Sequence, residues 1–332
     1  MRICNSCQTE ITKEQKTVKC EVCDKTIHKE CAINKDGTFC DVCYLAKSEE
    51  LTNPTFDKSL IPDVIRRSHI QTYIDCPFKF YNEVILGHKQ PENIYAQIGI
   101  DTHELFDHAS NATKYIKEDM YRDYKAKFDA YPDSLFETII GDATKEDMYK
   151  RGTDSIETFY NILPNLPFMP YQTEQTLIFD IGSEFPNVQA TSDRIDMVDG
   201  ELEVQDWKTG NVMVGITLSH DIQAPLYIYS IKKKYNIPVR KFTFYYLKDN
   251  KTRTFERVNA DDYICTVNKR IYKINLTDAI RQVQHVFSQI NKGNFNIPSD
   301  GRKMYFHCKM CHIKQLGLCE GADIQSWQQY NK

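Results

Sequence analysis

From residue 63 onward the apolar positions switch repeatedly between helical and strand spacing, the pattern of a mixed α/β chain. Ser68 to Tyr81 (SHIQTYIDCPFKFY) opens on a serine N-cap and keeps helical spacing until Pro77. Residues 96–109 (AQIGIDTHELFDHA) predict a helix that encloses Ile100, His103 and Leu105, and a charge-rich, mostly helical stretch follows to residue 165. The period then shortens. Residues 175–181 (QTLIFDI), 188–198 (VQATSDRIDMV) and 202–209 (LEVQDWKT) predict strands, the last two joined by the turn VDGE. Residues 217–235 predict a helix, 241–249 and 252–258 a hairpin turning near Asn250. Residues 277–291 predict a helix with Ile280, Val283, Phe287 and Ile290 on one face.

The first part of the chain differs. Residues 1–45 have no apolar run long enough for a core, and residues 46–62 are polar with two prolines, as in a linker. The expected organisation is a small module at 1–45, a linker at 46–62 and one α/β domain at 63–325.

Composition narrows the picture. Of 332 residues 41% are hydrophobic, and 20 Tyr and 17 Phe argue for a folded chain. No stretch approaches the ~20 apolar residues of a membrane span, and the start MRICNSCQTE lacks the apolar run of a signal peptide. The expectation is a cytoplasmic protein with no membrane partner. The net charge of −4 excludes a small basic DNA-coating protein. It leaves room for an enzyme that needs only a local basic groove. Lys232, Lys233, Lys234, Arg240 and Lys241, with Arg66 and Arg67, are candidates for such a groove.

Twelve cysteines in a cytoplasmic chain point to metal rather than disulfides. Cys4 and Cys7, Cys20 and Cys23, His28 and Cys31, and Cys40 and Cys43 form four pairs at one spacing. Such pairs suit two tetrahedral Zn²⁺ sites. So short a segment draws much of its stability from metal. The ligand order resembles PHD and RING-type cross-brace fingers. That resemblance implies one zinc on Cys4, Cys7, His28 and Cys31 and another on Cys20, Cys23, Cys40 and Cys43, with sequential pairing as the alternative.

The strongest chemical signal lies on two neighbouring strands. Asp193 stands in ATSDRID, and Asp206-Trp207-Lys208 in VQDWKTG. Residues two apart on a strand share a face, so Asp206 and Lys208 enter one site, with Asp193 alongside. Two carboxylates hold Mg²⁺ or Mn²⁺ through oxygen, and a lysine beside them stabilises charge on a phosphate. A lone D-x-K describes a surface ion pair equally well. Two motifs weigh against that: Gly99-x-x-x-His103 before it, and Gln223-x-x-x-Tyr227 after it. Gln223 and Tyr227 share a helix face, from which they contact DNA or brace the strands.

In this order the motifs resemble the RecB-like branch of the PD-(D/E)XK nuclease superfamily, over residues 64–320. The resemblance implies a restriction-endonuclease-like core, a mixed sheet flanked by helices. It implies His103, Asp193 and Asp206 as ligands of the catalytic Mg²⁺ or Mn²⁺, Lys208 as catalytic, and Gln223 and Tyr227 as substrate-binding. Asp196 competes with Asp193, but three residues away it faces the other side of a strand. The implied activity is a DNA nuclease, most simply an exonuclease of replication, recombination or repair. Its setting would be a bacterial or bacteriophage-infected cell, and its partner a helicase or another recombination or replication protein. The alternative is a non-catalytic DNA- or protein-binding scaffold on the same fold.

Cys308, Cys311 and Cys319 make an incomplete tetrahedral set, and Cys76, in the Cys-Pro of the early helix, is the fourth candidate. One early and three late cysteines resemble the AddB-like and CRISPR-associated nucleases, which implies a 4Fe-4S cluster. Thiolate-only ligation suits zinc as well.

Overall fold

The computed structural model describes residues 16–20, 25–29, 32–34, 38–39, 56–112, 114–213, 218, 221–297, 308 and 311–319. In chain order the strands are β1 (Thr17–Lys19), β2 (Thr26–His28), β3 (Ile33–Asn34), β4 (Thr38–Phe39) and β5 (Val64–Arg66). The helix α1 (Arg67–Asp75) comes next, then α2 (Ile94–Asn111), α3 (Lys117–Asp129) and α4 (Lys145–Ile162). After them come β6 (Gln172–Phe179), β7 (Asn187–Val198), β8 (Glu201–Lys208), α5 (Gln223–Tyr235), β9 (Val239–Tyr246), β10 (Lys251–Arg257), β11 (Asp262–Val267), β12 (Arg270–Asn275) and α6 (Leu276–Asn291).

The chain divides into two compact units. Among the described residues the first comprises those of 92–177 and 191–276, and the second those of 16–91, 178–190 and 277–319.

The first unit is a mixed sheet with helices. Its strand order runs β12-β11-β10-β9-β8-β7, and β6 also pairs with β7. β8 is antiparallel to β7 and parallel to β9. A strand with neighbours on both edges and cover on both faces needs buried side chains throughout, and Leu202 to Trp207 are all buried. Trp207 points into a core made with α2, α3 and α4. Its ring meets Phe159 edge-on at 5.1 Å, and Phe159 stacks on Phe106 at 4.4 Å. Alternation then aims Asp206 and Lys208 at the opposite face. α4 starts on a capping box, Thr144 with Asp147. It packs so tightly on α3 that a Cβ on Gly152 would lie 2.1 Å from the Tyr124 ring.

In the second unit α1 ends at Cys76, because Pro77 cannot continue its hydrogen bonding, and a short helical turn follows from Pro77 to Phe80. β5 pairs in parallel with Asn187–Gln189. Phe295 lies among Phe56, Tyr73, Phe80 and Tyr81. β1 and β2 form an antiparallel hairpin that buries Cys20 and His28. The other expected zinc ligands, Cys4, Cys7, Cys23, Cys31, Cys40 and Cys43, lie outside the described residues. Among the described residues no helix is long and apolar enough to cross a membrane.

Candidate active site

The first unit brings His103, Asp193, Asp206, Lys208 and Gln223 together. His103 sits on α2 one turn after Gly99. A Cβ on Gly99 would stand 3.2 Å from Thr209 Oγ1, so the glycine lets α2 approach the end of β8. His103 Nδ1 lies 3.6 Å from Asp193 Oδ1. The other oxygen, Asp193 Oδ2, accepts from the Trp207 amide at 2.5 Å, which fixes the carboxylate against the D-W-K strand.

Asp206 is 1% exposed, with Lys208 Nζ 2.7 Å from its Oδ2. Gln223, the first residue of α5, closes the arrangement. Its Nε2 donates to Asp206 Oδ1 at 2.5 Å, and its Oε1 accepts from Lys208 Nζ at 2.8 Å. Both ends of the amide are thus engaged inside the site, and the residue is buried. Tyr227, one turn on, is buried with its ring against Phe242 at 5.9 Å. From α4, Arg151 Nη2 donates to the Thr209 carbonyl at 2.7 Å, clamping the residue after Lys208.

One member carried no recognisable signal in the sequence. One ligand atom from each of His103, Glu174 and Asp193 lies within 4.8 Å of the other two. Glu174 sits in β6 with φ +44°, a left-handed conformation that is uncommon for a residue with a side chain. Such a kink breaks strand alternation and re-aims a side chain.

The electrostatics fit a cation. Burial, together with the Asp193 charge, raises the Glu174 carboxyl to about 7 although the residue still meets solvent. Burial pushes Asp206 up to about 6 against the pull of Lys208, and the Asp193 charge adds to the rise. For His103, burial disfavours the charged form, but the Asp193 and Asp206 carboxylates outweigh it and the net direction is up. Asp193 goes the other way. Burial opposes its ionisation, yet the charges of His103 and Lys208 and the Trp207 amide hold it low. Crowded carboxylates that resist ionising together are what a divalent cation relieves. Oxygen donors with one imidazole suit Mg²⁺ or Mn²⁺.

Asp196 stands apart from this cluster. It is fully buried and paired with Arg194, whose Nε reaches its oxygens at 2.9 and 3.0 Å. Of the basic residues, Lys241 and Arg240 lie on Glu203 at 2.9 and 3.5 Å, and Lys232 is 3.6 Å from Asp261.

The second unit gathers cysteines. Cys76 and Cys308 are buried beside Phe78. Cys76 Sγ accepts from the Lys79 amide at 3.4 Å. Burial raises the Cys76 thiol to about 11, and Cys311 and Cys308 are close enough to add to the rise. Cys319 is part-buried and, like the other three, forms no disulfide. Cys265, the isolated cysteine of β11, is buried.

Comparison with known families gives a match over residues 67–316 to the model described as the PD-(D/E)XK nuclease superfamily. No curated protein matches the chain.

Proposed function

Because the chain belongs to the PD-(D/E)XK nuclease superfamily, we propose that it is a divalent-metal-dependent DNA nuclease acting through His103, Glu174, Asp193, Asp206 and Lys208. The observation that carries this reading is the convergence of three carboxylates and an imidazole beside the Lys208 ammonium, with Gln223 tying Asp206 to Lys208. His103, Glu174 and Asp193 are the residues to hold the cation, with Asp206 beside them. When bound, the cation supplies charge neutralisation at a phosphate oxygen and acidifies water.

The chain's own groups do the rest. The Lys208 ammonium, 26% exposed at the rim of the site, offers N–H donors to the negative charge that grows on a phosphate as it is attacked. Gln223 fixes the Lys208–Asp206 pair in place, accepting from the ammonium and donating to the carboxylate. The Trp207 amide orients Asp193, and the buried Trp207 ring stiffens the strand that carries the acid and the lysine.

The finer reading is an exonuclease of the RecB-like branch that works in replication, recombination or repair alongside a helicase or related partner. Cys76, Cys308, Cys311 and Cys319 would carry a 4Fe-4S cluster, and two Zn²⁺ ions would organise residues 1–45. The proximity of three of those cysteines supports the cluster. Protein purified without oxygen should be brown and contain iron and acid-labile sulfide, and a colourless, zinc-loaded preparation would overturn that assignment. The nuclease reading is tested with end-labelled single- and double-stranded DNA in Mg²⁺ or Mn²⁺. Release of mononucleotides from one end is expected, and EDTA should stop it. Internal cuts without end release would replace exonuclease by endonuclease. No cleavage in any metal would favour a non-catalytic scaffold.

A further inference from the structure

Residues 163–171 read LPNLPFMPY and lead into β6. They present large apolar groups to solvent: Phe168 is 77% exposed, Met169 58% and Tyr171 38%. Yet the segment is held stiffly. Pro167 and Pro170 bracket the Phe–Met pair and restrict the backbone at both ends. The Pro167 carbonyl accepts from Nη2 of the fully buried Arg194 at 2.5 Å, and the Tyr171 amide donates to the Ile195 carbonyl at 2.8 Å. Exposed apolar side chains on a pre-ordered backbone lose little entropy on binding, which marks them for recognition.

Two elements connect this segment to the candidate active site. The Tyr171 ring packs edge-on against Tyr235 with centroids 5.3 Å apart, and the Tyr235 hydroxyl donates to Gln175 Oε1 at 3.1 Å. Gln175 adjoins Glu174. Tyr235 is the last residue of α5, whose first residue, Gln223, touches Asp206 and Lys208. Tyr171 immediately precedes β6, three residues before Glu174, so the two stand at most about 10 Å apart at ~3.3 Å per extended residue. That span covers at most about three steps of ~3.4 Å between stacked bases. Lys233 and Lys234 are exposed immediately before Tyr235 and bring positive charge to the rings. A protein-docking patch would account for Phe168 and Met169. It would account for neither the lysines nor the path to Glu174.

We propose that Phe168, Tyr171 and Tyr235, with Lys233 and Lys234, form a platform on which the bases of single-stranded DNA stack as the strand leads into the site. The inference rests on the nuclease reading of that site. Rings accept the face of any base, lysines track phosphates, and a paired duplex keeps its base faces occupied. The platform therefore favours single strands or frayed ends over intact duplex.

The test is fluorescence anisotropy with labelled oligothymidylate and a duplex of equal length, in EDTA so that nothing is cleaved. The double variant Phe168→Ala/Tyr171→Ala should bind oligothymidylate about tenfold or more weakly, with duplex affinity little changed. Phe168→Trp should keep the affinity and show quenching of its emission when oligothymidylate binds. Unaltered oligothymidylate affinity in the double variant overturns the proposal, as does Phe168→Trp without quenching. A change in self-association by light scattering, with DNA affinity intact, would assign the patch to protein docking and likewise overturn it. If the wild type cleaves no DNA in any metal the nuclease reading fails, while binding in EDTA still decides the platform.

Discussion

Replacing Asp206 with asparagine should make the metal-free protein more stable. Asp206 is 1% exposed, and burial holds its carboxyl near 6 rather than its ordinary 3.8, even with Lys208 Nζ 2.7 Å away. The folded state therefore binds the Asp206 proton more tightly than the unfolded chain does. Its favourable contribution is complete below pH ~4 and is lost as pH rises through ~6. A shift of about two pH units at ~1.4 kcal/mol each makes the ionised carboxylate a burden of about 3 kcal/mol at pH 8. Asparagine keeps an acceptor for Gln223 Nε2 but turns an amide donor toward Lys208, which removes about 1 kcal/mol of the gain. The net expectation is about 2 kcal/mol, a few degrees of melting temperature for a chain of this size. Thermal unfolding in EDTA at pH 8 and pH 4.5 reads this out: the variant should melt higher at pH 8, and its advantage should shrink at pH 4.5. Saturating Mn²⁺ should reverse the order at pH 8, because the cation stabilises the protein that keeps its carboxylates. A variant that melts lower than wild type at pH 8 in EDTA would show that the buried Asp206 carboxylate is not a burden on the metal-free fold.

Three further outcomes follow from other contacts. Gly152→Ala drives a Cβ to 2.1 Å from Tyr124 and should cost about 3 kcal/mol in urea unfolding; a loss under about 0.5 kcal/mol would show that the α3–α4 contact yields. Gln223→Ala removes the amide shared by Asp206 and Lys208 and should lower kcat about 10- to 100-fold with metal binding largely kept; a wild-type kcat would limit Gln223 to packing. Glu174, with its carboxyl raised to about 7, must lose a proton to hold a cation. Mn²⁺ affinity measured by calorimetry should therefore strengthen from pH 6 to pH 8 and do so less in Glu174→Gln; identical pH dependence in both would remove Glu174 from the metal site.

The elements most legible in the sequence were those with strong periodicity. The strand expected at 202–209 spans Glu201–Lys208, and the helix expected at 277–291 spans Leu276–Asn291. Alternation alone placed Asp206 and Lys208 on one face, because Trp207 between them belongs in the core. The β11–β12 hairpin had no such signal. Its turn is Asn268-Lys269, both left-handed, without the glycine that usually marks the type. Glu174 was hidden for a related reason. It lies just before the segment read as a strand, one glutamate in a polar alternation, and a backbone kink turns it toward Asp193. Spacing along the chain cannot reveal a kink. Gln223 was legible with two roles open, contacting DNA or bracing the strands, and its amide, engaged at both ends by Asp206 and Lys208, braces the strand.

Whether Lys208 and the carboxylates around it cleave DNA is decided by single-turnover cleavage of labelled DNA in Mn²⁺ by wild type and Lys208→Ala. Lys208 also offsets the charge of the buried Asp206, so both proteins are compared well below their melting temperatures, with circular dichroism showing each folded. The variant's rate should be lower by about 10²- to 10³-fold. Equal rates in two equally folded proteins would remove Lys208 from the cleavage reaction.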